Sequence, residues 1–215
     1  MSTGTPIVTP TGRPTAKRSL RWRVVDIVVA AVLAVAVGVV FKLWDFAYEP
    51  IGAGLGLVLP GSQALVGGVW LLAGPLVAIV VRKPGAALFG EIVAASVEAM
   101  LGTQWGWGTL LSGLVQGIGA EIVFAIFLYS VWRLPVVMLA GAATGLALGL
   151  NDAFRYYAGA TASFQVVYVI CAIVSGVVIS GLGSWLLVRA LARTGVLSSF
   201  AAGREQGRRP RASAA

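Results

Sequence analysis

Residues Gly90 to Glu121, GEIVAASVEAMLGTQWGWGTLLSGLVQGIGAE, set three carboxylates and two amides in sequence that otherwise reads as membrane-spanning. Ionisable groups are costly in that setting and mark functional sites by default. Glu91 and Glu98 are seven residues apart, so they share one helix face, about 10 Å apart along its axis. Between the two apolar runs lies Gly102-Thr103-Gln104-Trp105-Gly106-Trp107-Gly108, a glycine-hinged turn carrying two indoles and an amide. Gln116 and Glu121 follow on the next run. The pattern predicts a helical hairpin that forms the polar wall of a binding cavity.

The surrounding composition fixes the class. Hydrophobic residues make up 58% of the 215, charged residues only 11%, and the mean hydropathy is +0.90. No soluble core needs that much apolar sequence, so the expectation is an all-α, polytopic integral membrane protein of the cell membrane. The net charge of +8 does not point to nucleic acid, because the basic residues lie in tails and short loops rather than on an aromatic-interleaved module. The single cysteine, Cys171, excludes an internal disulfide framework, and the lack of histidine excludes His-dependent triads, zinc sites and imidazole relays. No serine in a span has a Lys or His base beside it and no Walker motif occurs, so the reading is no enzyme, no cofactor and no metal.

Six apolar runs are expected as transmembrane helices: 24–44, 64–81, 86–101, 109–132, 135–150 and 163–188. They form one membrane domain over residues 22–192, flanked by a disordered Thr/Pro/Gly/Ser-rich tail at 1–21, with no signal peptide, and a basic, disordered tail at 193–215. Pro50 to Pro60 encloses an apolar stretch too short to span and loosened by Gly52, Gly54 and Gly56, which reads as a lid or re-entrant loop. Small residues recur every fourth position at Ala30, Ala34 and Gly38 in the first span, and at Gly141, Gly145 and Gly149 in the fifth. Such strips let another helix approach closely, from within the chain or from another subunit.

Alternating the loops between two sides places fourteen of the sixteen Lys and Arg on one side and only Lys42 and Arg155 on the other. Both termini are then cytoplasmic by the positive-inside rule. The outer side receives the segments richest in aromatic and hydrogen-bonding side chains, including Tyr48, Glu49, Gln104, Trp105, Trp107, Asn151, Tyr156 and Tyr157. Glu98 and Gln116 approach that surface from the spans. Glu91 and Glu121 lie deeper and either contact a ligand or serve structure, paired with each other or with Arg82 or Arg133. Asn151 and Asp152 either face the site or cap a helix end.

The pattern GExxAxxxExxxGxxWG, present as Gly90-Glu91, Ala94 or Ala95, Glu98, Gly102 and Trp105-Gly106, resembles the YkoE-type substrate-capture subunits of energy-coupling factor (ECF) vitamin transporters. So do Arg82-Lys83-Pro84-Gly85-Ala86 before it and Gln116-Gly117-x-Gly119-Ala120-Glu121 after it. The resemblance covers roughly residues 22 to 190. It implies a six-helix protein that binds thiamin or its hydroxymethylpyrimidine precursor on the outer face and does no chemistry itself. It also implies a membrane coupling (T) subunit and two cytoplasmic ATPases as partners, with Ala30, Ala34 and Gly38 as the docking strip.

The residues suit such a ligand. An aminopyrimidine offers an exocyclic amine donor beside ring-nitrogen acceptors, so Glu98 can accept from the amine while Gln116 or Gln104 meets the ring edge. A thiazolium cation favours an indole face and nearby negative charge, which Trp105, Trp107, Tyr48 and Glu49 can supply. The competing class is a self-contained secondary transporter or channel, with Glu91, Glu98 and Glu121 as a proton or cation path. Against it, polar residues are dense on the outer half and sparse toward the cytoplasm.

Overall fold

The computed structural model describes residues 20–197 and 200–203. Among these no strand occurs, and the chain folds as six helical rods. They are α1 (Val24–Val58); a 3-10 helix (Ser62–Leu71) running into α2 (Ala73–Val81); α3 (Ala86–Met100); α4 (Gly108–Ile126); α5 (Leu134–Arg155); and α6 (Ala162–Ser175), which continues through a π-helical stretch (Gly176–Leu182) into α7 (Gly183–Arg193). Five of the rods are long and apolar enough to cross a membrane, whereas α3 has only 15 residues. Each apolar run expected from the sequence is helical, with its ends displaced.

The largest displacement is in α1. The segment from Pro50 to Pro60, expected as a lid or re-entrant loop, continues the helix to Val58. Pro50 removes one backbone donor but leaves the other hydrogen bonds of the rod intact, whereas Pro60 forces its predecessor out of the helix. Leu59 accordingly is extended, with φ −147° and ψ 111°. Gly61, at φ +100°, then reverses the chain, and the Leu55 carbonyl near the helix end accepts from both Leu59 N and the Ser62 hydroxyl. An α1 of 35 residues is about 52 Å long and outruns a hydrocarbon core of about 30 Å.

The strip expected to dock another subunit lies inside the bundle. Ala30 and Ala34 are fully buried, and a Cβ added at Gly38 would meet the Ala94 carbonyl oxygen of α3 at 2.6 Å. Ala94 is itself small, so α1 and α3 close on each other and leave no room there for a partner helix. The strip in α5 also packs internally, Gly141 against Gly176 and Gly145 against Ala172.

All nine residues of α2 are buried, which puts this rod at the centre of the bundle. The 3-10 helix before it is long for its kind, and its neighbour explains how it is held. Ser175 Oγ accepts from Gly68 N and donates to Leu65 O, while Ser180 and Ser184 donate to the carbonyls of Leu71 and Leu72. These three serines, on the rod that contains the π-helical stretch, satisfy backbone groups that apolar surroundings would leave unpaired. The tails expected at 1–21 and 193–215 fall mostly outside the described residues. Within the described part, Gly195 (φ +84°) turns the chain after α7, and Leu197, Phe200 and Ala202 are buried in the core, so the boundary at 193 comes too early.

Candidate functional site

The hairpin of α3 and α4 forms one wall of an aromatic-lined cavity. The two helices can approach closely because Gly113 meets Ala95, where an added Cβ would come within 2.6 Å of the alanine methyl. From this wall Glu98, Thr109, Ser112 and Gln116 face the space. Opposite them, α1 supplies Phe41 and Tyr48, the 3-10 helix supplies Gly67 and Trp70, and α5 supplies Leu148 and Asp152. Trp105, Tyr156, Tyr157 and Tyr168 complete the lining from the connections and α6.

The aromatic rings form a continuous collar. Tyr48 meets Trp70 edge-on with centroids 4.7 Å apart, Trp105 stands at 88° to Trp70, and Trp105 contacts Tyr156 at 5.4 Å. These edge-to-face contacts fix ring orientation and leave π faces available to a flat ligand. Glu98 Oε1 accepts from Thr103 Oγ1 at 3.3 Å, an interaction set up by the tight turn after α3. The Asp45 carboxyl lies beside Glu98, and Lys42 Nζ sits 3.5 Å from Asp45 Oδ2 while donating to Gly102 O. On the other wall Asp152 accepts from Tyr168 Oη at 2.8 Å and from Asn151 Nδ2 at 2.9 Å.

Two polar groups of the lining lack a protein partner. Trp70 Nε1 and Thr109 Oγ1 are buried with none among the described residues. The Gln116 side chain, 4% exposed, lines the same cavity. Buried polar groups are nearly always paired, so two such groups on one cavity call for an explanation. A polar ligand seated there would provide it.

The predicted site residues separate into four groups. Glu98, Trp105, Gln116 and Tyr48 line the cavity. Glu49 and Gln104 line an adjoining outer chamber instead. Asn151 stands behind the wall, holding Asp152 and Ser112. Glu91, Glu121 and Trp107 are away from the cavity. Glu91 Oε1 accepts from Gly74 N at 2.8 Å, because Gly74 is in the first turn of α2 and its N–H has no helical partner. Glu121 accepts from the backbone N–H groups of Gly85, Ala87 and Leu88, acting as a long-range cap for α3, and also from Tyr129 Oη. Burial and this carboxylate push the Tyr129 phenol upward in pKa. Trp107 directly precedes α4 and follows the left-handed Gly106, which turns its indole outward, 72% exposed.

The sequence does not single out Trp70, Thr109 or Tyr168, and it leaves Asp152 open between a site role and a helix cap. Trp70 sits in an unbroken apolar run, so no local signal marks it. Asp152 was detectable as an acid within helical reach of the fifth span, one residue from Asn151.

Comparison with known proteins adds three findings. Residues 25–147 match a family model described as the permease component of an ABC-type cobalt transport system. The chain is 34% identical over 185 residues to the putative HMP/thiamine permease protein YkoE of Bacillus subtilis (strain 168), covering 86% of this chain and 92% of that one. It is also similar to a crystal structure of an S-component of an ECF transporter, with a TM-score of 0.79 and 34% identity over 87% of this chain and 94% of that one.

Proposed function

The chain belongs to the YkoE-type family of ECF transporter S components, and from that premise we propose that its cavity captures thiamin or hydroxymethylpyrimidine at the outer face of the cell membrane. Its six helices would span the bilayer with both termini cytoplasmic. A coupling subunit and two ATPases would then drive release inward. The observation that carries this reading is the convergence of Glu98, Gln116, Trp70 Nε1 and Thr109 Oγ1 on one aromatic-lined cavity. An aminopyrimidine has a matching edge: its exocyclic amine donates to Glu98, its ring nitrogens accept from the Trp70 indole or the Gln116 amide, and its face stacks on Trp105.

A hydrogen bond to a charged group contributes about 1.5–3 kcal/mol, and an unmatched buried group costs about 1–3 kcal/mol. Such a site therefore selects by edge pattern rather than by size. The metal named in the family model's description does not suit this chain: it has no histidine, and the described residues contain no cluster of three or more His, Cys, Asp or Glu. The coupling subunit would have to meet a face other than the Ala30, Ala34, Gly38 strip, which is buried inside the bundle.

The test is a titration of the purified chain in detergent, without partners, against thiamin and hydroxymethylpyrimidine by tryptophan quenching and calorimetry. Saturable binding that weakens about tenfold or more in a folded Glu98→Ala variant supports the reading. No binding of either compound to well-folded protein refutes it.

A further inference from the structure

Asp45 of α1 is not among the residues that line the cavity, yet it lies within hydrogen-bonding reach of Glu98, which does. Both residues are 3% exposed, and neither oxygen of Asp45 has a hydrogen bond among the described residues. Lys42 does not fill that gap: its Nζ is 3.5 Å from Asp45 Oδ2 and donates instead to Gly102 O at 2.8 Å. A buried carboxylate with neither oxygen satisfied is costly, and two carboxylates side by side repel each other as well. One proton held between them relieves both penalties. It makes one carboxyl a donor to the other and leaves the pair with a single negative charge, which Lys42 balances.

The neighbouring elements supply no second positive charge to this pair among the described residues. α2 is apolar throughout, and α4 presents the neutral Thr109, Ser112 and Gln116 to the same cavity. The next ionisable groups are Tyr48 along α1 and Glu91 along α3, a phenol and a further acid, and Glu91 accepts from Gly74 N. Across the cavity Asp152 accepts from Tyr168 Oη, the Tyr156 and Tyr157 phenols complete that wall, and Arg155 is committed to Gly108 O and Ser112 Oγ. The charge on the pair is therefore set by Lys42, by the shared proton and by whatever enters the cavity.

Resting on the capture reading above, we propose that Asp45 is a positioning residue for capture: it shares one proton with Glu98 in the free chain, and ligand binding releases that proton to water. The O–H bond of the shared acid breaks, the proton passes to solvent, and the N–H of the ligand's exocyclic amine becomes the donor to Glu98. Two carboxylates then face two cations, Lys42 and the ligand, so the ionised pair is favoured in the complex. Asp45 itself does not touch the ligand. Because the complex holds fewer protons than the free chain, affinity rises with pH through the range in which the shared proton titrates, by at most about tenfold per pH unit.

Thiamin is titrated calorimetrically into the full chain in detergent and into its Asp45→Asn variant at about pH 6, 7, 8 and 9, in phosphate and in Tris, whose ionisation enthalpies differ. For the unaltered chain the binding enthalpy is expected to depend on the buffer with the sign of proton release, up to about one proton per ligand, and affinity to rise with pH where the release occurs. In Asp45→Asn the amide still donates to Glu98 but carries no titrating proton, so binding persists and the buffer dependence is lost. A purely structural role for Asp45 would instead change melting temperature and affinity while the proton release remained. An unaltered chain that binds thiamin with no buffer dependence across this range, or with proton uptake, overturns the inference and leaves capture standing. So does an Asp45→Asn variant that releases the proton as the unaltered chain does. If Asp45→Asn does not fold or does not bind, the buffer and pH dependence of the unaltered chain decides alone. If thiamin does not bind the unaltered chain, capture fails and the proton linkage fails with it.

Discussion

Replacing Thr109 by valine separates the role of the cavity's unpaired polar groups from their structural cost. Thr109 lines the cavity, is 7% exposed, and its hydroxyl has no partner among the described residues. Valine keeps the shape and exchanges that hydroxyl for a methyl. In the free protein this removes an unsatisfied group costing about 1–3 kcal/mol, so Thr109→Val is expected to be more stable than the parent. At about 2–4 °C per kcal/mol for a chain of this size, its melting temperature rises by about 2–12 °C. In the ligand complex the same change removes a hydrogen bond of about 0.5–1.5 kcal/mol, weakening thiamin about two- to twelvefold. Stability and affinity therefore move in opposite directions. Thermal unfolding in detergent with and without thiamin reads both, because ligand protection scales as RT ln(1 + [L]/Kd). A variant that melts lower without ligand, or that melts higher and keeps full thiamin affinity, refutes the assignment of this hydroxyl to the ligand.

Other substitutions test the structural roles. Glu121→Gln weakens the acceptor for three backbone donors of α3 and the Tyr129 hydroxyl, and is expected to cost about 1–3 kcal/mol in unfolding while leaving thiamin affinity of the folded protein unchanged. Gly38→Leu forces side-chain atoms into the α1–α3 contact and should lower the melting temperature of the isolated chain, through an overpacking cost of about 1–3 kcal/mol. If the isolated variant is as stable as the parent and only assembly with the coupling subunit fails, the strip docks a partner after all. Trp107→Ala should leave thiamin binding untouched, whereas Trp105→Ala, which removes a stacking face, should weaken it by about 1–3 kcal/mol in a fluorescence or calorimetric titration.

The membrane class, the helical runs and the polar hairpin were legible because each depends on composition or on short-range spacing. Glu98, Trp105 and Gln116 could be singled out as polar or aromatic groups near the outer end of otherwise apolar helices. The α1 extension was not legible, since a proline ends a helix or is absorbed into it according to the packing and capping of the next turns, here closed by Gly61 and the Ser62 hydroxyl. Nor was the fate of Glu91 and Glu121. A buried carboxylate reads identically in sequence whether it meets a ligand or backbone N–H groups at a helix start, and only the long-range packing of α2, α3 and α4 decides between them. The strip at Ala30, Ala34 and Gly38 carried the same ambiguity, because close approach of helices needs small residues whether the neighbour is α3 or another subunit. Trp70 became visible as a site residue only when the 3-10 helix rotated its indole toward Tyr48 and Trp105.

The most direct test of the central claim is a crystal structure of this chain with thiamin bound, in which ligand-to-protein distances are measured. The account predicts the aminopyrimidine in the inner cavity, with polar atoms within about 3.2 Å of Glu98 and of at least one of Gln116, Trp70 Nε1 and Thr109 Oγ1. Thiamin found elsewhere, against the exposed Trp107 face or between α1 and α3, with the inner cavity's polar groups still unpaired, would contradict it.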